Sequence, residues 1–579
     1  MAFVGIDLGT TTSEIAIYEK DDGPRILRDV RGNEIIDSYF GFDSKTKTPV
    51  VGEGVKATAQ SNPDLIVEQV KRQMGKETAL RVGDQTFSPT EVSAQILTHL
   101  KRSAEEQLGE TVDRCVITVP ANFPDPARRA TQQAGEIAGM TVERIINEPT
   151  AAALAYGYGD SIEDQHILVY DLGGGTFDVS VVEYMGDILD VKASSGDKAL
   201  GGKDFDEALV QYVSDAFERE HSISIDPASG NYYRLLFACE DAKKDLSFNR
   251  QTAVNIPFFT MKDGQPVNLD VTVTRDTFEG LIGPMIDRTE SAIETALSDA
   301  NLNTSDIDQV ILVGGSTRIP YVQNMVERVM GQRPLKRIDP DKAVALGAAV
   351  QTAIIDGASE RIVMDVVPLS LGTSILERSD SGFRPGRYNQ IIPRNGKVLK
   401  PYKKTYNTIM DDQEMIDFRV YQRDAESDAM QAEIEGDPNE MDGFTLLGRQ
   451  EIDVPPGPMG QRVEVTYTYD HDQMVEVEVY FPRTEETRTF RVHAGLNEDE
   501  IMESKARLAD SWRESDFYAE VEALIDAAEH ELQAGTVPNA RESELEDRLS
   551  ELKHALAEND EPRVRALEDE ITDLLFEIS

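Results

Sequence analysis

Gly5-Ile6-Asp7-Leu8-Gly9-Thr10-Thr11 and Tyr170-Asp171-Leu172-Gly173-Gly174-Gly175-Thr176 are two copies of one pattern. Each follows apolar β-type residues and reads as a strand, a Gly-rich bend and a second strand, Glu14 to Tyr18 in one case and Val179 to Val182 in the other. Glycine in the bend lets backbone N–H groups approach an anion. Either bend alone reads equally well as a tight β-turn that needs glycine for steric reasons. The repetition of Asp-Leu-Gly favours two hairpins that face each other and clamp a polyphosphate with its metal ion.

More phosphate and nucleotide chemistry lies downstream. The buried-strand run Val310-Ile311-Leu312-Val313 leads into Gly314-Gly315-Ser316-Thr317-Arg318-Ile319-Pro320 and then a helix. Glycines there admit a phosphate or a flat ring to the backbone, and Arg318 can stack on a purine. Glu240, Lys243, Lys244 and Ser247 fall at helical spacing, with Glu240, Lys243 and Ser247 on one face able to hold ribose hydroxyls and adenine nitrogens. Alone, that helix also reads as a solvated face with i,i+3 ion pairing. Gly196 to Lys203 misses the Walker A spacing by one residue and has Asp204 where a hydroxyl is required. The 7 histidines form no ligand-spaced set, and Cys115 and Cys239 are too far apart in sequence to suggest a zinc site.

A chain of 579 residues has room for about three domains. Two cysteines in unrelated apolar stretches form no disulfide framework, which favours a reducing cytoplasm. Met1 to Leu8 lacks a basic n-region and a long apolar h-region, so a soluble, unexported protein is expected. The formal net charge of −48 is spread along the chain. That argues against nucleic-acid binding and suggests an acidic solvated surface suited to a salt-rich cytoplasm.

Three textures follow one another. Up to about Glu360, apolar β runs alternate with helical stretches such as Ala127 to Ala138 and Phe205 to Arg219, an α/β pattern. From Pro368 to about Val492 short alternating strands take over, among them Met415 to Tyr421, Val463 to Tyr469 and Met474 to Phe481, which predicts an antiparallel β domain. Leu496 to Ser579 is charged and helix-periodic. Breaks at Gly535 to Asn539 and Asn559 to Pro562 predict three helices, read as a cap on the β domain.

The two Gly loops, Ile145-Ile146-Asn147-Glu148-Pro149-Thr150-Ala151-Ala152-Ala153, Leu200-Gly201-Gly202-Lys203-Asp204-Phe205-Asp206 and Leu312 to Pro320 together resemble the signatures of the seventy-kilodalton heat-shock chaperones of the DnaK type. Asp365 to Gly372, Ile392-Pro393-Arg394-Asn395 and Gly495 to Ile501 extend the likeness to the end of the chain. The resemblance implies a multidomain protein with an α/β actin-like ATPase domain over residues 1–360, a linker over 361–369, an antiparallel β-sandwich for substrate over 370–495 and a helical lid over 496–579. It implies a cytoplasmic, stress-responsive chaperone that hydrolyses ATP to ADP to bind and release extended apolar segments of unfolded clients. Mg2+ and K+ would be cofactors, and a J-domain co-chaperone and a nucleotide-exchange factor would be partners.

By motif position the resemblance assigns catalysis to Lys71, Glu148, Asp171 and Thr176, and metal binding to Asp7, Asp171 and Asp178. Nucleotide contacts fall to Gly9, Thr10, Thr11, Gly173, Gly174, Gly175, Glu240, Lys243, Lys244, Ser247, Gly314, Gly315, Ser316, Arg318 and Asp341. Coupling between domains would run through Pro120, Arg128 and the linker residues Ile362, Val363, Met364 and Asp365, with Val363 and Met364 packed inward on docking. Thr373, Leu376, Tyr406, Ile409 and Ile416 occupy positions that line the family's peptide groove, although bare sequence reads each equally well as core.

Departures are visible too. About ten residues separate Gly75 from Phe87, so one lobe looks shortened, as in HscC-type members. The linker opens with Arg361, Thr373 stands where the family usually has a larger apolar residue, and Glu377 to Asn389 is expected to lengthen a hairpin loop. Two other classes fit part of the pattern. A small-molecule kinase of the actin superfamily would share the two loops but leaves the β domain and cap without a purpose. A non-cycling holdase or exchange partner would not need Lys71, Asp171 and Thr176.

Overall fold

The structure is a computed structural model. It describes all residues except 30, 45–47, 159–163, 380–381, 425–432, 436–437, 439–440, 471–473, 493–494, 512–515, 535–538, 558–560 and 579.

Both Gly patterns form hairpins, and both hairpins are embedded in the same kind of sheet. Ala2–Leu8 pairs antiparallel with Thr12–Glu19 on one side and parallel with Val112–Val119 on the other, with Thr141–Asn147 beyond. Gln165–Leu172 pairs antiparallel with Phe177–Met185 and parallel with Gln309–Val313, with Ile188–Asp197 and Ile362–Met364 beyond. In each sheet the aspartate sits near the end of the first hairpin strand, so the bend after it opens on the same side of the fold.

Two alanine-rich helices, Glu148–Tyr156 and Ala343–Ile355, lie between the sheets. They are apolar around most of their circumference, as a helix buried between two sheets must be. Their contact is backbone-close: a Cβ at Gly347 would lie 1.7 Å from the Ala151 carbonyl oxygen. The short segment after Gly75 forms a small hairpin, Leu80–Val82 with Gln85–Phe87. Ser88 then starts helix Pro89–Leu108 with a capping box: its hydroxyl accepts from the Glu91 N–H, and the Glu91 carboxylate accepts from the Ser88 N–H at 2.8 Å.

Residues from 366 onward change to antiparallel sheets, as the alternating pattern predicts. One sheet runs Glu433–Glu435, Gly382–Ile392, Leu371–Ser379, Met415–Arg423, Phe444–Asp453; the other runs Tyr402–Asn407, Arg462–Tyr469, Val475–Phe481, Glu486–Arg491. They share one core that includes Leu371, Ile392, Phe418, Val420, Val465, Val477 and Phe481. The expected long loop at Glu377 to Asn389 is instead mostly strand. Its residues pair across Leu371–Ser379 and Gly382–Ile392 with a bulge after Ile375, so the added length extends the ladder and gives its backbone groups partners.

The C-terminal part departs from three helices on the β domain. Four helical spans are described, Glu498–Ser511, Asp516–Ala534, Asn539–Ala557 and Glu561–Ile578. The expected breaks at Gly535 to Pro538 and Asn559 to Asp560 lie outside the described residues, as does the stretch after Ser511. The last three helices share a core of Val521, Leu545, Leu549, Leu552, Val564, Leu567 and Ile571. The first packs elsewhere: Leu496, Ile501 and Leu508 lie against the core of the first sheet, beside helices Asp125–Ile137 and Pro89–Leu108. Cys115 and Cys239 are both free and buried, and no helix among the described residues is long and apolar enough to cross a membrane.

Candidate functional site

The two bends meet. A Cβ at Gly174 would fall 1.6 Å from Thr11 Oγ1, so only glycine lets the second hairpin close on the first. Between them is a cleft of about 70 Å³ lined by Asp7, Gly9, Thr10, Thr11, Lys71, Glu148, Asp171, Gly173, Gly174, Thr176, Gly314, Gly315 and Asp341, among others. Every residue assigned to catalysis from motif position is in this lining.

Lys71 reaches the cleft from the short turn Val70–Gln73, which the chain enters through Gln69 in the left-handed region at φ 54°. Its Nζ is paired with Glu148, and both are buried. Glu148 opens helix Glu148–Tyr156 with Pro149 behind it, where the helix N-terminus favours a carboxylate. The neighbouring Arg72 ties this turn to the second hairpin, binding Asp204 through both terminal nitrogens at 3.2 and 2.6 Å and the Gly175 carbonyl at 3.1 Å.

The electrostatics are lopsided. Burial pushes the carboxyls of Asp7, Asp171 and Asp178 up, Asp171 farthest because Glu148, Asp178 and Asp7 add to the effect. Burial likewise lifts Glu148 to about 7 despite Lys71. Burial opposes the charge on Lys71, but Glu148 and Asp7 outweigh it and its pKa is raised. One ammonium thus faces several buried carboxyls. Asp171 Oδ2 and Thr11 Oγ1 are buried with no hydrogen-bond partner, an arrangement that suits a hydrated cation and phosphate oxygens. Glu14, which no motif singled out, is the cross-strand neighbour of Asp7 and is also buried with Oε2 unpartnered. The signal for it was the hairpin register itself.

The expected metal set of Asp7, Asp171 and Asp178 is not a closed cage. Asp178 is absent from the cleft lining and accepts instead from the N–H groups of Ala121 and Asn122 at 3.2 Å and from Asn122 Nδ2 at 2.7 Å. Among the described residues no three acidic, histidine or cysteine side chains gather closely enough to hold a metal ion by themselves. That donor set fits Mg2+, which keeps several waters and takes the remaining ligands from phosphates.

The expected adenosine residues do not line the cleft. Helix Gly230–Leu246 carries Glu240, whose carboxylate is paired with Lys244 at 2.8 Å. Burial pushes Glu240 up, but Lys203, Lys244 and Lys56 overcome it and hold it at about 2. The pairing on this helix is therefore i,i+4 rather than i,i+3, and Lys243 turns away to Asp206 at 2.7 Å. Ser247 caps the helix end, and Ser316 Oγ donates to the Gly173 carbonyl at 3.0 Å. Arg318 is held flat by Asp341, at 2.7 and 3.0 Å, and by Asp339. Gly175, Glu240, Lys243, Lys244, Ser247, Ser316 and Arg318 all stand outside the lining.

A second and larger cavity of about 970 Å³ lies in the β domain. Thr373, Leu376, Tyr406, Ile409 and Ile416, the residues named for a groove, all line it, with Met410, Met415, Phe418, Val463 and Val465.

The linker strand Ile362–Met364 pairs parallel with Ile188–Asp190 and so extends the sheet that carries Asp171. Of its side chains only Val363 packs inward; Ile362 is 54% and Met364 39% exposed, so the expectation that Met364 is buried is corrected by strand alternation. Arg361, which opens the linker, donates to the Gly157 carbonyl. Asp365 accepts from Asn147 at 3.0 Å and Thr150 at 3.1 Å. Arg128 donates to the carbonyls of Phe123, Pro120 and Ala121 and to Asn147.

Further contacts complete the junction. The Asp125 N–H donates to Gln422 at 3.0 Å, the Ser194 N–H to Asn395 at 3.0 Å, and Gln133 exchanges bonds with the Leu496 backbone at 2.6 and 3.2 Å. Arg507 of helix Glu498–Ser511 pairs with Glu91. None has a local sequence signal, since each partner is hundreds of residues away.

Residues 3–579 match the family model described as Hsp70 protein. Proteins named Chaperone protein DnaK from two strains of Halobacterium salinarum are each 42% identical to this chain over 505 residues, covering 86% of it and 76% of their own length.

Proposed function

The chain belongs to the Hsp70 family, and from that premise we propose how its two cavities work together: it is an ATPase and ATP-dependent chaperone that couples hydrolysis in the cleft to capture and release of client polypeptide in the groove. The observation that carries this reading is the linker strand, which pairs along the edge of the sheet that carries Asp171 just before the chain enters the β domain.

In this reading residues 1–360 form the actin-like ATPase domain, 361–369 the linker, 370–495 the substrate domain and 496–579 the lid. Phosphoryl transfer to water asks for positioning and charge neutralisation more than covalent chemistry. The N–H groups of the two Gly bends hold the phosphates, and the Lys71 ammonium offsets the charge that develops on the transferred group. Glu148 and Asp171 orient the attacking water, and the Thr176 hydroxyl lies at the bend beside them. Glu240, Lys243, Lys244, Ser247 and Arg318 surround the adenosine. Asp7 and Asp171 would hold Mg2+ and K+ together with the nucleotide, and the ions would supply further charge neutralisation. The co-chaperones are a J-domain protein and a nucleotide-exchange factor, and the compartment is the cytoplasm.

Neither alternative class gains support. The large second cavity opens in a β-sandwich rather than beside the phosphate cleft, which is of no use to a small-molecule kinase. A non-cycling holdase has no need of the buried Lys71 and Glu148 pair. Steady-state ATP hydrolysis measured with and without an extended apolar peptide tests the proposal: peptide should stimulate turnover, and a rate indifferent to peptide would remove the coupling.

A further inference from the structure

Resting on the peptide-groove reading, we infer that the groove selects client segments whose central residue is aromatic, and that Thr373 together with the thioethers of Met410 and Met415 sets this preference. The cavity, of about 970 Å³, is lined from both sheets of the β domain. Its base is sealed by apolar residues, with Val463, Val465 and Val479 each at most 2% exposed, so the space favours an apolar guest.

Thr373 lines the base without adding a free polar group. It is 3% exposed, and its hydroxyl donates to the Arg419 carbonyl at 2.8 Å, so it offers the cavity neither bulk nor a free polar group. Two walls are rings held in place from behind. Tyr406 donates its hydroxyl to Asn389 at 2.8 Å, and Phe418 packs edge-on against Phe490 and Tyr467. A guest ring gains edge-to-face contacts with such walls that an aliphatic side chain cannot make.

The lip points the same way. Met410 and Met415 line the cavity and are 54% and 45% exposed. Gln413 braces the segment between them, accepting from the Ile409 N–H and donating to the Met415 carbonyl, both at 3.0 Å. Unbranched, polarisable thioethers pack against ring edges and make sulfur–aromatic contacts; to leucine they offer area alone. Base, walls and lip each add something for a ring.

The test uses the full-length protein without ATP and two fluorescent heptapeptides identical except for leucine or phenylalanine at the centre, their Kd values read by anisotropy. The phenylalanine peptide should bind at least tenfold more tightly. Met410→Leu with Met415→Leu keeps the apolar lip but removes both sulfurs, and should pull the ratio toward one while the leucine peptide keeps its affinity. Thr373→Ile should weaken the phenylalanine peptide more than the leucine peptide; if that variant does not fold, the methionine pair decides. A leucine peptide that binds as tightly as phenylalanine overturns the aromatic preference and leaves the groove reading standing. If neither peptide binds, the groove reading falls and takes this inference with it.

Discussion

Asn147 joins Arg128 to Asp365: its Nδ2 donates to the linker carboxylate at 3.0 Å while its Oδ1 accepts from the buried guanidinium at 2.7 Å. Arg128 also donates to the Ala121 carbonyl at 2.7 Å, and the Ala121 N–H donates to Asp178 at 3.2 Å. A continuous hydrogen-bonded path therefore runs from behind the second Gly hairpin to the linker. Asn147→Ala leaves two buried charged groups short of a partner, a cost of about 1–3 kcal/mol to the docked arrangement. ATP should then accelerate peptide release less than in the wild type, read as the off-rate of a fluorescent peptide with and without ATP. Full ATP acceleration in the variant would remove Asn147 from the coupling.

Lys71→Ala takes away the ammonium that faces Glu148, Asp7 and Asp171. Loss of one electrostatic group aimed at a developing charge costs roughly 10²-fold or more in the chemical step. Single-turnover hydrolysis should fall by at least that much, while ATP binding, carried mainly by the Gly bends and the adenosine residues, should remain. Near wild-type single turnover would exclude Lys71 from the mechanism.

Val363→Asp places a carboxylate where the linker packs against Leu189, Val191 and their neighbours. Docking should lose on the order of several kcal/mol, and with it ATP-induced peptide release. Met364→Asp, on the exposed side of the same strand, should do much less. Equal effects of the two substitutions, measured as peptide off-rates in ATP, would contradict the register of the linker strand.

Burial pushes the His99 imidazole below its ordinary value, with Arg102 and Arg31 adding to the effect against Asp29. Between the depressed folded pKa and the unfolded value near ~6.5, the unfolded chain binds more protons, so stability is present above about pH 6.5 and is lost as pH falls through the folded pKa. From about pH 7 to about pH 5 the thermal midpoint of His99→Gln should fall less steeply than that of the wild type. Parallel slopes would mean that His99 contributes nothing to the acid sensitivity.

Salt should stabilise this chain. A net charge of −48 repels itself, and the Debye length shortens from about 30 Å at 0.01 M to about 3 Å at 1 M salt. Exposed ion pairs weakened by the same screening are worth only about 0–1 kcal/mol each. The thermal midpoint should rise over that range and ATPase activity should persist in molar potassium chloride. A midpoint that is flat or falls would overturn the salt-rich setting.

What the sequence by itself determined is local. The two Asp-Leu-Gly bends, the strands that flank them and the change from mixed to antiparallel texture after the linker were all legible, because turn chemistry and side-chain alternation depend on residues a few positions apart. The groove residues were legible only through family resemblance, since core and groove share one apolar pattern. Tertiary structure alone decided which faces meet. Ile501 and Leu508 read as a stripe needing cover, but nothing in their spacing said that the first sheet's core, rather than the β domain, would supply it. The pairing of Arg128, Asn147 and Asp365 and the turn of Lys243 toward Asp206 were likewise invisible. A polar side chain announces its chemistry in sequence, but its partner is chosen by whichever distant element the folded chain brings within hydrogen-bond reach.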